Sequence, residues 1–200
     1  IVLTGFGGPR TDVALAAAKA FPVIDDRAGV MMREAIERAR LDCDSVGGVI
    51  ECVAQGLPSG LGEPMADGVE SVLARLLLAI PAVRGVEFGL GFAASRMRGS
   101  AHNDAFVLED GQVRTATNRH AGVLGGITTG MPVTFRVAFK PTASIAKPQR
   151  TVNLDDMREE TISVGGRHDP CVVPRAVPVV EAMAALGLLD LMMMGNMHKS

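Results

Sequence analysis

The chain has 200 residues, 48% of them hydrophobic and 21% charged, a size at which one domain buries a core without covalent staples. A net charge of −2 and the absence of Trp and Tyr argue against a nucleic-acid partner, which calls for a basic surface with aromatic side chains. Three cysteines, Cys43, Cys52 and Cys171, lack the spacing of a metal site and fit a reduced cytoplasm better than a disulfide framework.

Residues 1–6 read as a strand and 11–20 as a short helix opened by Thr11 or Asp12. An apolar opening without Met implies that further residues precede it. "DDRAGVMMREAIERARLD" predicts a helix with Asp26 as N-cap and Val30, Ile36 and the alanines on its apolar face. "SVGGVIECVAQG" reads as a buried strand and "GLPSGLGEP" as a loop. "MADGVESVLARLLLAI" places Met65, Val69, Val72, Leu73, Leu76 and Leu77 at helical spacing, a core stripe ended by Pro81. A strand over "AVRGVEFG" follows, then a hairpin turned at Asp110-Gly111. In "PVTFRVAFK" Val133, Phe135, Val137 and Phe139 alternate with Thr134, Arg136 and Lys140. "ETISVGG" predicts another strand, and a last helix runs from about 175 to 194 with Pro178 near its first turn. The apolar tail over 178–194 is interrupted by Glu181 and Asp190 and reads as too short to span a bilayer. With no signal peptide in view, a cytoplasmic protein without a membrane partner is expected. Helices alternating with strands and hairpins point to an α+β fold with antiparallel pairing.

Four polar loops carry residues suited to chemistry. "GLGEP" (60–64) reads most simply as a turn before a helix. "RGSAHNDAF" (98–106) holds His102, a potential ligand or acid, with Asp104 as its natural partner. "TNRHAGVLGGITTGMP" (117–132) is either a glycine-rich turn or a backbone cradle for a phosphate or flat ring. It leads into the alternating strand and then "KPTASI", where Lys140 stands beside the Thr142 and Ser144 hydroxyls, a set suited to an anion. "GGRHDPCVVPRAVPVVEAM" places Arg167, His168 and Asp169 between a glycine pair and a proline-stiffened helix start. Arg167 and Asp169 form either a local ion pair or an anion site with an adjacent base. Sixteen of the twenty basic residues are arginine, the side chain that pairs bidentately with phosphate and carboxylate.

The runs "CDSVGGVIE", "GLPSGLGEP", "IPAVRGVEFGLGF", "RGSAHND", "TNRHAGVLGGITTGMPVTFRVAFKPTASI" and "GRHDPCVVPRAVPVVEAMAAL" resemble the chorismate synthase family, in family order over roughly residues 42–190. The resemblance implies helices sandwiched between antiparallel β-sheets, a β-α-β sandwich of which residues 1–200 would be the C-terminal part of one domain. It implies a homotetramer that eliminates phosphate from 5-enolpyruvylshikimate 3-phosphate in the 1,4-anti sense, giving chorismate on the shikimate pathway. Reduced FMN is required although the net reaction is redox-neutral, and some members use NADPH as reductant.

Residue by residue, the resemblance assigns flavin contacts to Lys140, Pro141, Thr142, Ala143, Ser144 and Gly125, and more loosely to Pro81 and Ala82. Arg167 matches an arginine that meets flavin and substrate. Asp169 matches the acid proposed to relay a proton from flavin N5, and His168, which sits between them, is expected to bind substrate and to position rather than protonate it. Leu90 stands where the family usually has Asp, and "GSAHND" replaces a commoner Gly-Ser-Glu pattern. The family's N-terminal histidine and arginine motifs have no match in these residues, so His102, His120 and His198 do not stand in for its acids. The fragment alone is therefore expected to be inactive. The other reading is a flavin- or anion-binding module without catalysis.

Overall fold

The computed structural model describes residues 19–197. The strand expected over 1–6 and all but the last two residues of the helix expected over 11–20 lie outside the described residues. Helix α1 (Asp26–Leu41) is capped one residue earlier than the sequence reading placed it: Asp25, in extended conformation, accepts from the Arg27 and Ala28 N–H groups. Asp26 is the first helical residue instead. Its buried side is Gly29, Met32 and Ala39, whereas Val30 faces solvent. The close packing of Gly29 on Val23, where a Cβ would lie 3.0 Å from Val23 Cγ2, sets which face turns inward. The helix ends in a Schellman motif: Asp44 N–H bonds to Ala39 C=O at 2.9 Å and Cys43 N–H to Arg40 C=O at 3.2 Å. Cys43, with φ of +54°, takes the left-handed place usually given to glycine.

The chain divides into two compact units. One holds the described residues up to Val49 together with Phe139–Ala176; the other holds Ile50–Ala138 and the residues from Val177 onward. Strands β1 (Gly48–Ala54), β2 (Val83–Phe88) and β7 (Val133–Phe139) form a three-stranded sheet in the order β1-β7-β2. The alternation expected for β7 holds, with Val133, Phe135, Val137 and Phe139 buried. Thr134 is buried as well, because β7 is the central strand. On that other side Arg136 pairs with Glu87 of β2 at 2.6 Å. Burial pushes the Glu51 carboxyl of β1 up, although the charge of Arg136 works against it.

Helix α2 (Val69–Leu78) buries Val69, Val72, Leu73 and Leu77 as expected. Met65 does not belong to that stripe: it sits in a separate 3₁₀ turn before Gly68 and is 88% exposed. A second 3₁₀ turn (Gly91–Arg96) and the short helix α3 (Gly99–His102) were not foreseen. The last helix, α4 (Val173–Met197), starts two residues earlier than expected, so Pro178 lies inside it rather than in its first turn. Val172 C=O accepts from the Arg175 and Ala176 N–H groups, and Pro174 occupies a position whose N–H is not needed. Gly187 lets α4 lie against α2, since a Cβ there would be 2.8 Å from Leu76 Cδ1 and 3.0 Å from Leu73 Cδ2. Val180, Ala184, Leu188 and Leu191 form its buried stripe. At 25 residues the helix is longer than the sequence reading allowed, and Val173–Gly195, in which an 18-residue window has a mean hydropathy of 1.8, is long and apolar enough by length and composition to cross a membrane.

Three antiparallel hairpins complete the described elements. β3 (Phe106–Glu109) and β4 (Gln112–Thr115) turn at Asp110-Gly111 as expected, both central residues having positive φ. β5 (Val123–Leu124) and β6 (Ile127–Thr128) turn at Gly125-Gly126. β8 (Gln149–Asn153) and β9 (Arg158–Ile162) pair through five residues. The strand expected over 160–166 thus ends at Ile162, and its partner β8 was not anticipated. Together these elements are α+β, the expected class.

Asp104 holds the loop before β5. Its carboxylate, 4% exposed, accepts from Thr117 Oγ1 at 2.6 Å, Arg119 N–H at 2.9 Å and His120 N–H at 2.8 Å. The expected Asp104–His102 pair is not made; His102 packs edge-on against the His120 ring, 4.2 Å between centroids. Burial pushes the Asp104 carboxyl up, but the Thr117 hydroxyl and the His120 and Arg119 N–H groups outweigh it, and the net shift is downward from 3.8. A depressed carboxyl stabilises the fold above its unfolded pKa and loses that contribution as pH falls through its folded value. Asp104→Ala should lower stability by about 1–3 kcal/mol at neutral pH, and this gap should narrow on acidification below about pH 4, as followed by calorimetric unfolding across pH.

Candidate functional site

The first unit brings three segments together: the loop after β7 (140–148), the loop after β9 (163–170) and the short stretch 42–47 between α1 and β1. Lys140 is half-buried and neither it nor Arg167 makes a side-chain hydrogen bond or ion pair among the described residues. By contrast Lys147, seven residues on, is taken by the Asp42 carboxylate and by Asp44 at 3.1 Å. These two contacts, Asp42 first, raise the Lys147 pKa. The Ser45 N–H and then Lys147 hold the Asp44 carboxyl low.

Ser144 and His168 meet across the two loops, Oγ to Nδ1 at 3.4 Å. His168 Nε2 lies 2.9 Å from Val164 C=O, and a carbonyl only accepts. Nε2 therefore carries the proton, and in the neutral ring Nδ1 presents its lone pair to the Ser144 hydroxyl. Asp169 does not pair with Arg167. Its Oδ2 receives Arg175 NH1 at 2.5 Å, leaving Oδ1 without a partner among the described residues. Arg175 reaches it because α4 starts at Val173 and turns this side chain back toward the loop. Cys171, two residues beyond Asp169, is buried, and burial pushes its thiol up. Cys52 on β1 is pushed up to about 12 by the same cause. Neither is an activated nucleophile.

The sequence reading missed Ser45, Gly47, Lys147 and Arg175. Ser45 Oγ donates to Thr142 C=O at 2.6 Å. Gly47 is obligatory: a Cβ there would lie 2.3 Å from Phe139 O and 3.1 Å from Pro141 Cδ. The glycine pair in "SVGGV" was the available signal for such a close approach.

The remaining predicted residues belong to the second unit. Pro81 and Ala82 form the turn between α2 and β2, and Ala82 holds a left-handed φ of +72°, a strained conformation for a residue with a Cβ. The glycine-rich stretch is mostly consumed by packing. A Cβ on Gly126 would lie 2.5 Å from Glu63 O. Val69 N–H bonds to Gly126 C=O at 2.9 Å, Thr128 N–H to Leu61 C=O at 2.9 Å, and Thr129 N–H to Gly122 C=O at 2.9 Å. Gly125 differs: it is exposed, its φ is +61°, and a Cβ would meet nothing within 4 Å. Among the described residues no group of three or more His, Cys, Asp or Glu side chains gathers to hold a metal ion.

Residues 6–193 match the family model described as chorismate synthase. The chain is 58% identical over 159 residues to a chorismate synthase of Korarchaeum cryptofilum, covering 80% of this chain and 44% of that one. It is 57% identical over 166 residues to one of Thermococcus gammatolerans, covering 83% and 47%. A third, of Opitutus terrae, is 48% identical over 190 residues and is covered to 52% of its length. A solved structure described as a crystal structure of chorismate synthase superposes with a TM-score of 0.71 at 29% identity, covering 89% of this chain and 46% of the other. The chain thus spans about half the length of the relatives it matches. The family match over residues 6–193 spans the stretch that holds these loops, and the chain belongs to the chorismate synthase family.

Proposed function

We propose that the protein containing this chain converts 5-enolpyruvylshikimate 3-phosphate to chorismate by 1,4-anti elimination of phosphate, with reduced FMN bound against the loops described above. The observation that carries this reading is the donor set of the first unit. Two cations without partners among the described residues, Lys140 and Arg167, stand on loops that also offer the Thr142 and Ser144 hydroxyls. Substrate and flavin together bring two carboxylates and two phosphates, whose repulsion needs fixed cations. The donor chemistry therefore fits an anionic cofactor and substrate. In the second unit the open face of Gly125 fits a close backbone approach to a flat ring.

Reduced flavin, when bound, supplies the electron density that the breaking C3–O bond draws on. The chain's own part is binding, orientation and proton handling. Lys140 and the hydroxyls of Thr142 and Ser144 hold the cofactor end, with Pro141 and Ala143 giving backbone contacts. Arg167 neutralises the acidic groups where flavin and substrate meet. His168, fixed by Val164 C=O, positions the substrate from beside the cofactor end, where its Nδ1 meets Ser144. Asp169, anchored at Oδ2 by Arg175, keeps Oδ1 to accept a proton, a placed base of the kind that contributes about 10²–10⁴-fold. The assembly is a cytoplasmic homotetramer, and its reductant is either its own NADPH-driven turnover or an external donor.

In the full-length protein, assayed anaerobically with dithionite-reduced FMN, phosphate release should appear on adding substrate. Flavin binding without phosphate release would favour the non-catalytic module. Asp169→Asn should cut the rate by roughly 10²-fold or more while flavin affinity stays within about threefold; a wild-type rate would remove Asp169 from the mechanism. Arg175→Met should lower the rate about 10-fold, in keeping with the loss of a hydrogen bond to a charged group. Gly125→Ala should weaken FMN binding in a fluorescence titration at a cost of only about 1–2 kcal/mol in stability from the left-handed φ; Gly126→Ala should lower the melting temperature more, because its Cβ meets Glu63 O.

A further inference from the structure

The loop that carries Lys140, Thr142 and Ser144 has few anchors of its own. Pro141 and Pro148 bring no N–H, and Pro141, Ala143, Ser144 and Ala146 are exposed. Beyond an exposed amide contact from Gln149 to Ala143 C=O at 3.2 Å and the meeting of Ser144 with His168 at 3.4 Å, its fixed points come from residues 42–47. Gly47 lies against Phe139 O and Pro141 Cδ at the start of the loop. Ser45 Oγ donates to Thr142 C=O in the middle, at 2.6 Å across 97 residues of sequence. Cys43 C=O accepts Lys147 N–H at 3.1 Å at its end, where Lys147 Nζ is gripped by Asp42 and Asp44. The same stretch reaches the other loop, Val46 N–H bonding to Pro170 C=O at 2.8 Å.

We propose that Ser45 is a positioning residue for flavin binding: its hydroxyl, holding Thr142 C=O, fixes the shape of the 140–144 loop, and Lys147 fixes its far end. This rests on the reading of that loop as a cofactor site. The Ser45 hydroxyl donates to backbone, the Thr142 C=O, so its influence on a ligand passes through the loop. Its position in sequence is set by the Schellman end of α1, which turns the chain at Cys43 and brings the next residues to the loop.

The test uses the full-length protein and oxidised FMN in a fluorescence titration, with amide hydrogen exchange of the flavin-free protein in parallel. Ser45→Ala should weaken FMN binding about 3- to 10-fold, the loss typical of one such hydrogen bond. Peptides covering 141–147 should exchange faster while those covering 165–170 change little. Ser45→Thr, which keeps the hydroxyl, should restore most of the affinity. Lys147→Met, acting from the far end, should shift affinity and exchange in the same direction. A lowered melting temperature with unchanged FMN affinity and exchange would assign Ser45 a purely structural role and overturn the proposal. Wild-type affinity and exchange in both Ser45→Ala and Lys147→Met would overturn it equally. Failure of the unsubstituted protein to bind FMN would overturn the cofactor reading and the proposal with it.

Discussion

A left-handed residue at the end of one helix organises the first unit. Cys43 turns the chain out of α1, and the next four residues meet two loops in succession: the Ser45 hydroxyl and the bare Cα of Gly47 receive the loop after β7, while the Val46 N–H receives the loop after β9. Loops of this kind ordinarily wander, because their backbone is solvated and their entropy is high. Here the contacts fall at separate points along the loop after β7, so Lys140 between them is offered from a fixed backbone, while the loop after β9 is tied at Pro170. A site that binds several negative groups at once benefits most from such fixation, since each cation that need not be ordered on binding retains more of its interaction energy.

The second unit uses glycine for the same end by different means. In the stretch 58–69 and its counterpart 122–130, chains approach so closely that Gly62, Gly68 and Gly126 each lack room for a Cβ, and Gly122 is as crowded against Met131 O and Pro132 O. Thr128 completes the clasp, receiving Leu61 N–H at 2.9 Å on its hydroxyl while donating to Pro58 C=O at 2.7 Å. The clasp leaves Gly125 as the exposed residue at its turn. What reads in sequence as a general phosphate cradle is mostly a packing device with one open position.

Much of this was legible beforehand because periodicity and turn chemistry are local. The α2 stripe, the alternation of β7 and the Asp110-Gly111 turn each depend on a few neighbouring residues. Asp25 and Asp26 are chemically identical, and only the backbone conformation decides which of them caps α1. β8, and with it the pairing of the β8–β9 ribbon, escaped because the residues are exposed on both faces or nearly so, which leaves no alternation to detect. The partner of Asp169 escaped for a related reason. Arg167 and Arg175 both lie within reach in sequence, and the choice between them follows from where α4 begins. The family motifs located the loops and, in "CDSVGGVIE", the stretch that holds them, but not what that stretch does, since a serine and a glycine carry no signature of a contact 97 residues away.

The two-residue turns at Asp110-Gly111 and Gly125-Gly126 share positive φ values and hairpin form, yet their surroundings differ. Gly111 has open space where a Cβ would go, while Gly126 faces a carbonyl oxygen. Over evolutionary time the outer turn is free to drift among any pair that tolerates a left-handed backbone, such as Asn-Gly or Gly-Asn. The inner one is frozen at its second glycine whatever ligand the protein binds, so invariance there among relatives would report steric necessity rather than catalysis.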